Sequence, residues 1–214
     1  MTYIILADIG GTTTRLARMQ DRKLLGSPAI YSNREFKAFA DVLEDFLAKQ
    51  RLHPVQMALA VAGPLDNHSI VMTNLGWTIS ASAPADRFSI DHVVVINDFA
   101  AIAWGTLGVE SADLLQIGGG TPQLIANRGV IGPGTGLGVS GLVSTGDDWT
   151  ALVGEGGHVT MTATNDEQSH LLSQLVAEFG HCSAERLLSG PGLVRIYALS
   201  GGTECSPEQI PLLA

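Results

Sequence analysis

Val93-Val94-Val95-Ile96-Asn97-Asp98-Phe99 is the stretch that decides the fold class. Four β-branched apolar residues in succession read as a strand buried on both faces, as in a mostly parallel sheet. The run stops at Asn97-Asp98, and an apolar helical pattern (Phe99, Ala100, Ile102, Ala103, Leu107) takes over. Strand followed directly by helix points to an α/β protein. A carboxylate at the C-terminal end of a buried strand lies where open α/β sheets receive their ligands. Asn97 or Asp98 could instead simply cap the helix, a role both residue types fill often.

Upstream, Tyr3 to Ala7 is a short apolar strand ending at Asp8. Gly10-Gly11 then permits a tight turn, Thr12 to Thr14 add hydroxyls, and Thr14, Leu16 and their successors form a return strand. This hairpin turn is either a phosphate cradle beside an acid that holds Mg²⁺ through water, or an ordinary Gly-Gly turn. Leu24-Leu25 and Ala29-Ile30-Tyr31 make a further strand on either side of Pro28. Arg34 to Lys49 has apolar residues at helical spacing, with Ser32 or Asn33 as cap. Strands follow at Gln56 to Ala62 and at Ser69 to Thr73; Asn74 after the second could contact a ligand, and Trp77 is assigned to core packing. Ser82 to Phe88 is short and carries no decisive pattern.

Downstream, Asp113 to Ile117 reads as a short strand leading into Gly118-Gly119-Gly120, the candidate domain boundary. Strands at Gly129 to Ile131 and Val139 to Val143 flank Gly132-Pro133-Gly134-Thr135-Gly136-Leu137-Gly138. The second half thus opens as the first did, with strand, Gly/Thr turn and returning strand. Two such turns suit a polyphosphate. The glycines are not a dinucleotide fingerprint, and no lysine completes a Walker A loop. A strand from Trp149 to Val153 enters Gly154-Glu155-Gly156-Gly157-His158, where glycines let the backbone approach a small polar ligand. Polar contact is the preferred reading of Glu155 and His158, because neighbouring acids and cysteine do not complete a metal ligand set. Asp166 to Phe179 is a helix; Ser183 caps another, Ala184 to Leu188, whose Glu185 suits the helix dipole. Gly190-Pro191-Gly192 breaks the chain before a helical run from Leu193 to Leu199. Ser206-Pro207-Glu208 reads as a new helix start, eight residues before the last residue, which looks like an interruption.

Composition narrows the function. The chain has 214 residues, 45% hydrophobic but only 15% charged, against about 25% usually. A net charge of −9 and a pI near 5.0, with just three lysines, argue against a nucleic-acid surface. Cys182 and Cys205 supply neither a disulfide framework nor a four-thiolate zinc site. Asp8 comes too early for a signal peptide, and no apolar run approaches the roughly 20 residues that span a bilayer. A cytoplasmic protein without membrane contact is therefore expected.

Taken together, the blocks resemble the bacterial glucokinase family, in the sugar-kinase branch of the actin-like ATPase (ribonuclease H-like) fold. They are Asp8-Ile9-Gly10-Gly11-Thr12, Thr73-Asn74, Ile96-Asn97-Asp98-Phe99, Gly134-Thr135-Gly136-Leu137-Gly138, Gly154-Glu155-Gly156-Gly157-His158-Val159, Ser183-Ala184-Glu185-Arg186 and Leu188-Ser189-Gly190-Pro191-Gly192-Leu193. The cysteine-rich zinc motif of the related repressor/open-reading-frame/kinase family is absent, which favours the plain glucokinase branch. The resemblance implies two α/β domains with mixed sheets flanked by helices. Residues 1–110 would be the small one, and residues 111–214 the first part of a larger one lacking its remainder. It implies ATP-dependent phosphorylation of glucose at the 6-hydroxyl, with Asp98 as general base. Asn97, Glu155, His158 and Glu185, with Asn74 nearby, would hold the sugar. Gly10, Gly11 and Thr12, together with Gly134, Thr135 and Gly136, would hold ATP phosphates, with Asp8 on the Mg²⁺ side. A homodimer is a family-level expectation. Phosphoryl transfer is mostly positioning and charge stabilisation, so two donor-rich turns and one carboxylate supply its main parts.

Two departures stand out. Thr13 replaces the Asn that usually follows Gly-Gly-Thr, and family members continue well beyond this length, through an adenosine-binding turn and a terminal helix. A sugar-binding remnant without catalysis, and a kinase for another hexose or phosphate donor, are the alternatives.

Overall fold

The computed structural model describes residues 3–51, 53–123 and 125–213. Its chain divides into two units, Met1–Leu114 and Leu115–Ala214. In the first, β1 (Ile4–Ile9) and β2 (Thr13–Gln20) pair antiparallel, and β2 also carries β3 (Lys23–Leu24) and β4 (Ala29–Ser32). On its other side β1 pairs parallel with β5 (Gln56–Val61), which pairs parallel with β8 (His92–Asn97), giving the order β3-β2-β1-β5-β8. Alternation dictates which face is dry: Ile5, Ala7 and Ile9 of β1 and Met57, Leu59 and Val61 of β5 are buried. Against them packs α1 (Phe39–Gln50) through Phe39, Val42, Leu43, Phe46 and Leu47. The hairpin β6 (Ser69–Met72) and β7 (Trp77–Ser80) adds Ile70, Met72, Trp77 and Ile79 to the same core. Each such side chain contributes about 1.5–3 kcal/mol by leaving water. α2 (Ser82–Phe88) and α3 (Asp98–Gly105) complete the unit.

Several expectations are corrected here. β1 runs through Asp8 to Ile9, so that acid lies within a strand, paired in register with Arg15. β8 is not buried on both faces: it is an edge strand, and Val94 is 54% exposed. A β-branched run specifies a strand, but the neighbours specify its burial. α1 begins at Phe39 with Ala38 before it, so neither Ser32 nor Asn33 caps it; Asn33–Glu35 forms a short 3-10 turn instead. Asp113 to Ile117 is no strand; Ser111–Asp113 is a 3-10 turn, and Leu114, Leu115 and Ile117 are exposed.

The second unit holds β9 (Arg128–Pro133), β10 (Leu137–Ser144) and β11 (Trp149–Leu152), all antiparallel in the order β11-β10-β9. The repeated hairpin read from the sequence is thus present as β1–β2 and β9–β10. α4 (Asp166–Phe179) is capped by Asn165, which accepts from the Gln168 N–H, and ends at Gly180 in the left-handed region. α5 (Ala184–Leu188) is capped by Ser183, and α6 (Gly190–Leu199) by Ser189. Gly190-Pro191-Gly192 therefore opens a helix instead of breaking one: proline needs no N–H in a first turn, and the Ser189 hydroxyl accepts from the Gly192 N–H at 3.1 Å. At Ser206-Pro207-Glu208 no α-helix starts; a turn leads to a 3-10 helix at Ile210–Leu212. Both cysteines are free thiols, Cys182 buried.

Candidate active site

Asp98 and Asn97 divide the work that the sequence left open between them. Asn97 is the helix cap: its side-chain oxygen accepts from the Phe99 and Ala100 N–H groups at 2.9 and 3.1 Å. Its amide nitrogen donates to the Gly63 carbonyl and to Asp98 Oδ1, both at 3.0 Å. Asp98 Oδ1 also accepts from the Phe99 N–H at 2.9 Å. Asp98 is thereby held at the C-terminal end of β8, half-buried. Burial raises its pKa above the ordinary carboxylate value, the Asp8 carboxylate raises it further, and the hydrogen bonds from Phe99 and Asn97 oppose them. Gly63, just beyond β5, is part of this support. It lies at φ +129, where a side chain is strained, and its carbonyl anchors Asn97.

The turn at Gly10 to Thr12 is built by residues distant in sequence. The Gly10 carbonyl accepts from Asn33 Nδ2 at 2.8 Å, that of Gly11 from Asn74 Nδ2 at 2.9 Å, and that of Thr12 from the Asn33 N–H at 2.9 Å. No peptide bond among the described residues is cis. In a planar trans peptide the N–H points opposite to the preceding carbonyl. Tying back the Gly10 and Gly11 carbonyls therefore turns the Gly11 and Thr12 N–H groups away from those asparagines. Asn74 is so close that a Cβ on Gly11 would lie 2.9 Å from its Nδ2. Asn33 was missed as a site residue, because Ser-Asn before an amphipathic run looks like a helix cap. It is buried, and its side-chain oxygen accepts from the equally buried Thr14 hydroxyl at 2.7 Å. Asn33→Ala should destabilise the first unit by about 1–3 kcal/mol, since it orphans a buried hydroxyl and a carbonyl; urea denaturation measures this. Asp8 lies on the sheet face opposite the core and pairs with Arg15 at 2.8 Å. Leu6, Ala58, Ala60, Ile96 and Trp104 line an apolar groove on that face.

In the second unit, the Gly134-to-Gly136 turn is fastened by the Gly190 N–H, which donates to the Gly134 carbonyl at 2.8 Å. Glu185, in the first turn of α5, reaches the same turn: its Oε2 accepts from the Leu137 N–H at 2.9 Å. A Cβ on Gly136 would lie 2.5 Å from that oxygen, so the carboxylate passes close over the turn. Glu155 precedes a 3-10 turn, Gly156–His158, that ends in His158 and whose glycines press onto β10 at Leu137 and Val139. His158 Nδ1 lies 3.3 Å from Glu155 Oε2, and Nε2 lies 3.8 Å from Glu185 Oε1. Each unit therefore gathers its own share of the predicted residues: Asp8, Gly10 to Thr12, Asn74, Asn97 and Asp98 in the first, and Gly134 to Gly136, Glu155, His158 and Glu185 in the second. Among the described residues no group of three or more His, Cys, Asp or Glu is placed to hold a metal, and no helix is long and apolar enough to cross a membrane.

A sequence profile described as Glucokinase matches residues 5–210. The chain belongs to the glucokinase family. A glucokinase from Yersinia pestis is 38% identical over 198 residues, covering 92% of this chain and 61% of that relative. The chain thus spans less than two thirds of that glucokinase's length. The crystal structure of a glucokinase from an Antarctic psychrotroph superposes with a TM-score of 0.86 at 33% identity, covering all of this chain and 70% of the other. A Balamuthia mandrillaris glucokinase in complex with glucose has the same fold, with a TM-score of 0.74 at 24% identity over 92% of this chain and 62% of its own. The fold is the actin-like ATPase fold of the glucokinases, as the sequence led us to expect.

Proposed function

We propose that this chain carries the sugar- and phosphate-handling residues of an ATP-dependent glucokinase that phosphorylates the 6-hydroxyl of glucose. The observation that carries this reading is Asp98: a half-buried carboxyl with a raised pKa, at the end of a sheet strand and oriented by Asn97. Such a group serves as a general base, taking the hydroxyl proton as the oxygen attacks the terminal phosphate. Glu155, His158 and Glu185 supply acceptors and a donor for the other sugar hydroxyls. The Gly10-to-Thr12 and Gly134-to-Gly136 turns offer backbone donors to phosphate oxygens. On this reading Met1–Leu114 is the small domain and Leu115–Ala214 the beginning of the large one.

The residues present fit a magnesium ion that arrives with the phosphates and is reached through water, not one held by a dedicated protein cage. Asp8 is the residue for it. Its exposed pairing with Arg15 is worth only about 0–1 kcal/mol, so the carboxylate can turn to a water ligand at little cost. Bound there, the ion would neutralise charge developing on the phosphates.

The test is release of ADP from Mg-ATP by this chain with and without glucose. Release that depends on glucose supports the reading. Saturable glucose binding with no turnover would replace it with a sugar-binding protein, and turnover of another hexose or donor would change the substrate.

The pH profile gives a second check. The ionised form of Asp98 is the base, so kcat/KM should fall as pH drops through a pKa raised above the ordinary carboxylate value. Asp8→Asn removes one of the two influences that raise it, so the acid limb of the profile should move to lower pH. A limb that stays put or moves upward would count against Asp98 as the base.

A further inference from the structure

The Glu185 carboxylate has two faces with different neighbours. Oε2 accepts from the Leu137 N–H at 2.9 Å, at the exit of the Gly134-to-Gly136 turn, while Oε1 lies 3.8 Å from His158 Nε2. The turn is joined to this carboxylate through the Leu137 N–H. A Cβ at Gly136 would be 2.5 Å from Oε2, and the Gly134 carbonyl is fastened to the Gly190 N–H just beyond α5. Glu185 is itself fixed by a short helix whose first turn is capped by Ser183, and Ser183 is buried. One carboxylate therefore closes a chain of contacts: Glu155, His158, Glu185, Leu137 N–H, then the glycine turn.

We infer that Glu185 is a positioning residue that couples the sugar to the phosphate-binding turn. This rests on the proposed reading, in which sugar hydroxyls meet Glu155, His158 and Glu185, and phosphates meet Gly134 to Gly136. A hydroxyl donating to Oε1 removes rotational freedom from the carboxylate and excludes water beside it. Oε2 is then held more firmly on the Leu137 N–H, because a charge-assisted hydrogen bond strengthens when its surroundings dry out. The turn is ordered before phosphate arrives, so that sugar makes nucleotide binding tighter by thermodynamic linkage, and nucleotide does the same for sugar.

The experiment is amide hydrogen exchange at Leu137 in the full chain, with and without saturating glucose, for wild type, Glu185→Gln and Glu185→Asp. Glucose binding is followed separately by calorimetry. Glucose should slow Leu137 exchange in the wild type by about tenfold, the order expected for strengthening one hydrogen bond to a charged group. Gln keeps an acceptor of the same reach but no charge, so at saturating glucose the slowing should shrink to about twofold or less. Asp is one methylene short and should raise basal exchange even without sugar. A role confined to folding would change basal exchange but not the response to glucose. Glucose that binds the wild type yet leaves Leu137 exchange unchanged overturns the coupling and leaves the sugar-kinase reading standing. Absence of glucose binding overturns both.

Discussion

Asp98→Asn is expected to lower kcat by about 10²- to 10⁴-fold without lowering thermal stability, since a carboxyl whose pKa is raised by burial is costly to keep ionised. The substitution keeps the shape of the side chain and an oxygen to accept from the Phe99 N–H and the Asn97 amide, so the start of α3 is undisturbed. What it removes is proton affinity. KM for glucose should change far less than kcat, because an amide still accepts or donates to a hydroxyl. The measurement is steady-state phosphorylation of glucose beside a melting curve. A variant that keeps a tenth or more of wild-type kcat would show that Asp98 is a cap-proximal structural acid, with the base elsewhere.

Gly157→Ala is the second large effect, and it is one of stability. A Cβ there would sit on the Leu137 carbonyl oxygen, which belongs to the backbone of β10 and cannot swing aside. Overpacking of this sort costs about 1–3 kcal/mol, and backbone as the obstacle places it at the upper end. The second unit should lose about 3 kcal/mol of stability, and the displaced Glu155–His158 segment should lose sugar affinity with it. Gly154→Ala is the control: nothing lies within 4 Å of its Cβ position, so stability should stay within about 0.5 kcal/mol. Chemical denaturation of both variants settles the matter, and equal losses would mean that the whole loop, and not one contact, needs glycine.

The elements that the sequence made legible are those with a strong local signal. The β-branched run at Val93 to Ile96, the period of α4 and the serine before α5 all announce structure within a few residues. Legibility failed where the deciding partner is far along the chain. Val94 is exposed because it lies beside Ala58 on the sheet face opposite the α1 core, which no feature of the run itself could reveal. Pro191 between two glycines looks like a stop, yet the cap at Ser189 turns it into a beginning. At the site, the residue types that bear chemistry were visible, whereas their supports were not. Asn33 shares a buried hydrogen bond with Thr14 across 19 residues, and Glu185 reaches Leu137 across 48. In each case the informative contact is a tertiary one, made by a side chain that also has a plausible local role.

The tied-back carbonyls of the first turn bear on how this lineage can drift. The carbonyls of Gly10 and Gly11 are held by Asn33 and Asn74, 23 and 63 residues away, while the Thr13 hydroxyl lies 3.5 Å from that of Thr12. A signature that spells Asn after Gly-Gly-Thr would pass over this chain at Thr13, although the asparagine contacts to the turn are in place. Loss of this turn's support would show first at the two asparagines, which no short motif contains.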